Sequence, residues 1–169
     1  MKKKPLDCPC HSGLRYAACC SPLHAGSREA ESPSALMRSR YSAFALGLGP
    51  YLLRTLAPEH PDRARPEAEA ILALSRAREG LRYLDLCILH ASSEGDSGDV
   101  LFFAKIFERG TDRSFAELSS FRLASGAWRY VEGAHLPRRA LPGDVKTLTR
   151  ESFAGLAKLA GEPPRVEGY

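Results

Sequence analysis

Residues 81–91 read LRYLDLCILHA, and this run decides the fold. It is too apolar for a loop and rich in the aromatic and branched residues that suit extended chain. Side chains alternate along a strand, so Tyr83, Asp85, Cys87 and Leu89 are predicted on one side and Leu84, Leu86, Ile88 and His90 on the other. A Gly/Ser/Asp turn follows at 92–99, then a second strand at 100–108 and a turn at 109–112. The third strand, 114–123, places Phe115, Glu117, Ser119, Phe121 and Leu123 on one side. Ser125-Gly126 makes a tight hairpin into a fourth strand at 127–132. Turns of this kind between consecutive strands specify an antiparallel meander.

Upstream of that run the period changes from two to about 3.6. Ser32-Pro33 supplies an N-cap and a first-turn proline. Met37, Tyr41, Phe44 and Leu48 then recur on one helical face. Gly47-Leu48-Gly49-Pro50 breaks that helix, and Pro50 opens a short second one carrying Tyr51, Leu52, Leu53 and Leu56. Residues 59–65 form a loop. Pro66 opens a third helix with Ala68, Ile71, Leu72 and Ser75 on one face, stopped at Gly80. Helices followed by strands predict an α+β protein, with helices packed on one face of an antiparallel sheet of about four strands. Beyond Pro137 the chain reads as loop, then a short helix over 149–159 and a frayed end at 163–169. Three parts result: a cysteine-rich segment at 1–28, a central α+β domain at 29–137 and a C-terminal extension at 138–169.

A chain of 169 residues, 44% hydrophobic and 26% charged, fits one globular domain with a small appendage. It excludes collagen, a dedicated coiled coil and extended disorder. No apolar run approaches the roughly 18 residues that span a bilayer, so no membrane association is expected. Met1-Lys2-Lys3-Lys4-Pro5 carries the charge of a signal peptide, but Asp7-Cys8-Pro9-Cys10 follows instead of an apolar core, so a cytoplasmic location is expected. The net charge of +4 is too mild to imply nucleic acid. Between 32 and 56 the only charged residues are Arg38, Arg40 and Arg54. They read as a solvated helix face or, alternatively, as a patch for an anionic partner.

Four of the five cysteines, Cys8, Cys10, Cys19 and Cys20, lie close together, and the fifth is Cys87. An odd count without a secretion signal argues against a disulfide scaffold. Four thiols in so short a span can close a tetrahedral site, and thiolate ligands suit structural zinc. Ser12, Gly13, Ala17 and Ala18 let the backbone fold tightly, and Lys2, Lys3, Lys4 and Arg15 would offset the site's negative charge. Adjacent cysteines bond to each other only with strain, and the C-x-x-C redox spacing is absent. An iron–sulfur cluster is the remaining thiolate alternative. Four cysteines leave no position for His24, and Cys87 reads as a small core hydrophobe.

Cys8-Pro9-Cys10-His11-Ser12-Gly13-Leu14-Arg15-Tyr16 followed by Cys19-Cys20 resembles the SEC-C motif, the zinc-binding tail of the translocation ATPase SecA that contacts the chaperone SecB and the ribosome. The motif usually has Gly where this chain has His11. A side chain there disfavours a left-handed turn, so an altered first turn is expected. Cys20-Ser21-Pro22-Leu23-His24, the stretch Leu36-Met37-Arg38-Ser39-Arg40-Tyr41-Ser42-Ala43-Phe44, and Gly126-Ala127-Trp128-Arg129-Tyr130-Val131-Glu132-Gly133 resemble the YchJ family of uncharacterised bacterial proteins, over roughly residues 5–137. That resemblance implies a cystatin-like, SnoaL-like cone, related to nuclear transport factor 2, behind an N-terminal zinc knuckle. It implies Cys8, Cys10, Cys19 and Cys20 as ligands of one structural zinc ion. A second SEC-C copy, frequent in the family, does not follow Tyr130. The His and Arg usual in the family's third strand are missing from 115–121.

A cone of this type implies a pocket between helices and sheet. Arg40, Tyr41, Tyr83, Glu117, Trp128 and Tyr130 are the candidates to line it. Glu117 shares its strand side with Phe115 and Phe121, so it needs a partner if buried, and Arg38 or Arg40 could supply one. It is either half of a structural ion pair or a general base. His24, His60, His90 and His135 have no fixed spacing to an acid, and no phosphate loop or Ser-His-Asp pattern is present. The sequence therefore favours a non-enzymatic, zinc-binding adaptor whose knuckle contacts a protein such as an export chaperone, or the ribosome. The alternative is a small-molecule-binding protein, or a weak isomerase or hydratase with Glu117 as base.

Overall fold

A computed structural model describes residues 6–161. The lysines at 2–4 and the end expected to fray at 163–169 lie outside them. In chain order the main elements are α1 (Ser21–His24), α2 (Pro33–Leu46), α3 (Gly49–Arg54), α4 (Glu67–Arg76), β1 (Leu81–Glu94), β2 (Ser97–Glu108), β3 (Thr111–Asp112), β4 (Phe115–Ala124), β5 (Ala127–Pro137) and α5 (Arg150–Ala160). The fold is α+β, as expected. The antiparallel sheet runs in the order β1-β2-β4-β5, with the short β3 paired to β2.

Helix α2 starts where the sequence indicates. Ser32 accepts a hydrogen bond from the Ala35 N–H at 3.1 Å, Pro33 occupies the first turn, and Gly47 closes the helix in a left-handed conformation. Its burial goes beyond one face, because Leu36, Ser39, Arg40, Ser42 and Ala43 are enclosed along with Met37, Tyr41 and Phe44. A helix buried around most of its circumference has neighbours on more than one side. Here they are the cysteine segment, α3 and the sheet. The three arginines do not form one solvated face. Arg38 donates to the Cys10 carbonyl, Arg40 to the Leu52 carbonyl and Arg54 to the Leu23 carbonyl, at 2.9–3.0 Å. Arg40 is buried and Arg38 half-buried, while Arg54 is exposed.

Helix α4 turns inward a face that matches the expected one in part: Ile71 and Ser75 are on it, but Ala70 and Leu74 take the places of Ala68 and Leu72. Ala70 is buried and Ile71 and Leu74 pack on the core, whereas Leu72 is 50% exposed. The cause is the close approach of α3. A Cβ at Gly49 would collide with the Ile71 carbonyl and the Ser75 hydroxyl, so that glycine sets the spacing of the two helices.

The strands are longer than the sequence signals. Ser92, Ser93 and Asp99 continue the β1–β2 ladder despite their polarity, and β5 runs on to Pro137. Register shifts explain the faces. One at Leu84 and another at Leu89 reset the alternation of β1, so Tyr83, Leu86 and Ile88 share the main core. On β5 the extra residue is Val131. Tyr130 faces Phe121, but Glu132 already faces Ser120 and Gly133 faces Ser119. Such bulges bend a sheet and increase its twist.

The sheet is covered on both faces, not one. Val100, Phe102, Ala104 and Ile106 point to α2 and the main core, while Leu101, Ala116 and Leu136 point the other way, against Leu148 and Phe153. Helix α5 supplies that second layer. Thr149 and Ser152 form a reciprocal capping box, and Phe153 is 1% exposed. Among the described residues no helix is long and apolar enough to cross a membrane.

Two glycines should respond oppositely to alanine. Gly49→Ala should cost about 1–3 kcal/mol, the usual range for a forced repacking. Gly155→Ala, in α5 with open space around the new methyl, should gain up to about 1 kcal/mol from helix propensity. Urea titration of both variants measures the pair of signs.

Candidate metal centre and cavity

The cysteine segment folds through backbone bonds within a few residues. Cys8 N–H donates to the Leu14 carbonyl at 2.9 Å, His11 N–H to the Cys8 carbonyl at 3.0 Å and Tyr16 N–H to the Leu6 carbonyl at 3.1 Å. His11 takes φ +56°. The left-handed turn expected to change is therefore kept, and the imidazole sits edge-on to Tyr41 with ring centroids 6.0 Å apart.

This loop gathers the sulfurs of Cys8, Cys10, Cys19 and Cys20 within 4.8 Å of one another. Cys10 and Cys19 are 3.6 Å apart and Cys19 and Cys20 are 3.8 Å apart, so no disulfide joins them. The Ser12 hydroxyl lies 3.3 Å from the Cys19 sulfur. Protons are shared unequally in the cluster. The Cys8 thiol is pushed up to about 11, chiefly by its bond to Cys10. Cys20 is also raised, while Cys10 is lowered because Cys20 and Cys8 donate to it. A cation bound to all four sulfurs would displace the protons that the thiols hold. The four thiols are compatible with a metal site.

The knuckle is fastened to the helices by its polar groups. His24 Nε2–H donates to the Ser39 carbonyl at 2.9 Å, so Nδ1 is the acceptor for the Tyr16 hydroxyl at 2.8 Å. Both nitrogens are occupied within the protein, in keeping with a site closed by cysteine alone. Burial, with help from Arg54, keeps His24 below the ordinary imidazole range and hence neutral. Leu23 belongs to the main hydrophobic core, and Leu46 packs against the cysteines.

On the other side of α2 lies a cavity of about 100 Å³. Of the residues expected to line a pocket, Arg40, Glu117 and Tyr130 do so. Glu117 is 1% exposed. Its Oε1 accepts from the Ser119 hydroxyl at 2.6 Å and from the Tyr130 hydroxyl at 3.0 Å. The β5 bulge makes this possible by bringing Gly133 beside the carboxylate, where a Cβ would collide with Oε1. Arg40, 4% exposed, donates to Thr55 Oγ1 at 2.6 Å and lies 4.7 Å from the Tyr130 ring centroid. Burial, then the Glu117 charge, raise the Tyr130 pKa while Arg40 opposes them, so the phenol stays protonated.

The other candidates are placed elsewhere. Tyr41 turns toward β1, donating to the Asp85 carbonyl at 3.0 Å and meeting Tyr83 edge-on. Tyr83 borders a groove with Pro9 and Leu46, and its buried hydroxyl finds no partner among the described residues. Trp128 is packed in the core opposite Leu123. Of the two arginines expected as partners of Glu117, Arg38 reaches the knuckle and Arg40 shares the cavity with Glu117. Sequence reading missed His60, Asp62 and Arg65, which complete the cavity's lining. They sit on the 59–65 loop, where no periodicity marks an inward side. That loop follows a segment paired to β5, with Ala57 N–H donating to the Tyr130 carbonyl at 2.7 Å.

The family described as YchJ, middle NTF2-like domain, matches residues 32–133. A UPF0225 protein of Deinococcus radiodurans is 41% identical over 130 residues, covering 75% of this chain and 88% of that protein. The UPF0225 protein YchJ of Shigella dysenteriae is 34% identical over 128 residues, covering 75% of this chain and 81% of that protein. The solution structure of a SEC-C motif containing protein from Rhodopseudomonas palustris is similar with a TM-score of 0.65 and 39% identity, over 75% of this chain and 95% of that one. A crystal structure of a SEC-C motif containing protein from Psychrobacter arcticus shares the fold, with a TM-score of 0.62 and 20% identity, over 85% of this chain and 90% of that one.

His60 provides a pH test. Burial lowers its pKa; Asp62 and Glu59 raise it and Arg40 lowers it further, leaving it below the ordinary value. The unfolded chain then binds the proton first. Stability is unaffected well above about pH 6.5 and falls as pH drops below it, until the folded imidazole also titrates. His60→Asn should show a shallower loss than wild type between about pH 6.5 and 5 in parallel urea titrations. Equal slopes would remove His60 as a contributor.

Proposed function

We propose a function on one premise: the chain belongs to the YchJ family, with its NTF2-like middle domain. The protein is a non-enzymatic adaptor in which Cys8, Cys10, Cys19 and Cys20 hold one structural zinc ion, and the knuckle so formed contacts a protein partner. The observation that supports this reading is the sulfur spacing. Zinc–sulfur bonds of about 2.3 Å in a regular tetrahedron place the sulfurs about 3.8 Å apart. The separations of 3.6 and 3.8 Å already approach that figure. Zinc would bring ordering energy to a segment with few apolar contacts of its own. The Ser12 hydroxyl suits a thiolate, and Arg38, bonded to the Cys10 carbonyl, supplies positive charge beside the site.

Thiolate ligands suit a reducing compartment, which favours the cytoplasm. The likeness to the SEC-C motif points to an export chaperone or the ribosome as partner. The knuckle's outer side carries the exposed Leu6 and Leu14, apolar side chains available to such a surface.

Purified protein should carry about one zinc per chain, as a closed four-ligand site requires. Cys8→Ser with Cys10→Ser should lose the metal and keep a cooperative but lower melting transition, because the sheet core lies apart from the cysteines while Leu23 and Arg38 depend on a docked knuckle. Metal analysis and calorimetry read both effects. Capture from a bacterial lysate by wild type and by the double variant tests the adaptor role. Loss of an export chaperone or of ribosomal proteins with the variant supports it, and equal recovery of the same proteins rejects it.

A further inference from the structure

The cavity beside α2 has a composition that selects among ligands. Most of its wall is apolar, including Met37, Phe44, Leu56 and Leu74. Its polar groups carry opposed charges. Arg40 and Glu117 flank the same Tyr130 phenol, the guanidinium 4.7 Å from the ring centroid and the carboxylate 3.0 Å from the hydroxyl. Arg65 and Asp62 pair with each other at 3.5 Å, and the Arg65 side chain is 47% exposed. Ala73, also exposed, borders the same opening.

A charged ligand gains little here. An anion drawn to Arg40 meets Glu117, and a cation drawn to Glu117 meets Arg40. Either would add an uncompensated charge to a space walled mostly by apolar side chains, which is costly. An uncharged polar group meets no such penalty. The Tyr130 hydroxyl donates to Glu117 and retains lone pairs to accept from a ligand. His60 Nδ1 accepts from the Asp62 N–H at 3.2 Å, so the neutral ring carries its proton on Nε2 and offers a donor. The volume of about 100 Å³ is well below the roughly 300–1,000 Å³ of sites for drug-sized molecules.

We propose that this cavity binds a small, uncharged molecule with an apolar body and one hydroxyl or carbonyl group. The site uses none of the cysteines, so it stands independently of the zinc reading.

Isobutanol, isobutyrate and isobutylammonium share one carbon skeleton and differ in charge, which makes them suitable probes. With only two methionines in the chain, a methyl-labelled sample reports directly on Met37 by NMR. Isobutanol should shift the Met37 methyl signal saturably, and the two ions should bind at least tenfold more weakly. Ala73→Phe, a change at the exposed rim, should abolish the isobutanol response while leaving the fold intact. Glu117→Gln should raise isobutyrate affinity at least tenfold over its value in wild type, a switch that a purely structural carboxylate would not produce. If that variant fails to fold, the wild-type charge series and Ala73→Phe still decide. No saturable response to isobutanol, equal or tighter binding of either ion, or an unchanged response in Ala73→Phe would overturn the proposal.

Discussion

Helix α2 is enclosed on nearly all sides, so a polar group it turns inward needs a partner in the protein, and among the described residues the buried Ser42 hydroxyl is the exception on this helix. That constraint organises the molecule. Arg38 satisfies it in one direction by reaching the Cys10 carbonyl, and the Ser39 carbonyl does so by accepting from His24. Arg40 satisfies it in the other direction through Leu52 and Thr55. The cysteine knuckle and the cavity thus lie on two sides of one helix. Each borders a side chain that would be costly to bury unpaired.

The element order and the Glu117 side of β4 were legible because period-two alternation holds from Phe115 to Leu123. The faces of β1 and β5 were not. A bulge inserts one residue without any compositional mark, so side chains change side after Leu84, change back after Leu89, and change side again on β5 after Val131. The inward face of α4 was read only in part for a related reason. It depends on how closely α3 approaches at Gly49, a fact about two segments together. The second layer under the sheet was hidden because Leu101, Ala116 and Leu136 show their burial only once α5 is placed.

The gathering of the four cysteines was the most legible feature, since thiol spacing and small intervening residues act over a few positions. The cavity was half legible. Its inner end, Arg40, Glu117 and Tyr130, comes from regular elements whose inward sides can be inferred. Its mouth comes from the 59–65 loop, whose path is fixed by the pairing of Thr55 and Ala57 with Tyr130. His11 shows the opposite lesson. Its φ of +56° is unfavourable for a residue with a side chain, yet the surrounding bonds impose the turn regardless.

Chain synthesis proceeds from the amino end, and α5 follows the whole sheet in sequence. Until that helix emerges, the surface formed by Leu101, Ala116 and Leu136 has no cover. A chain cut short before Leu148 would therefore leave one side of the β layer facing water, an apolar surface of the kind through which partly folded proteins associate.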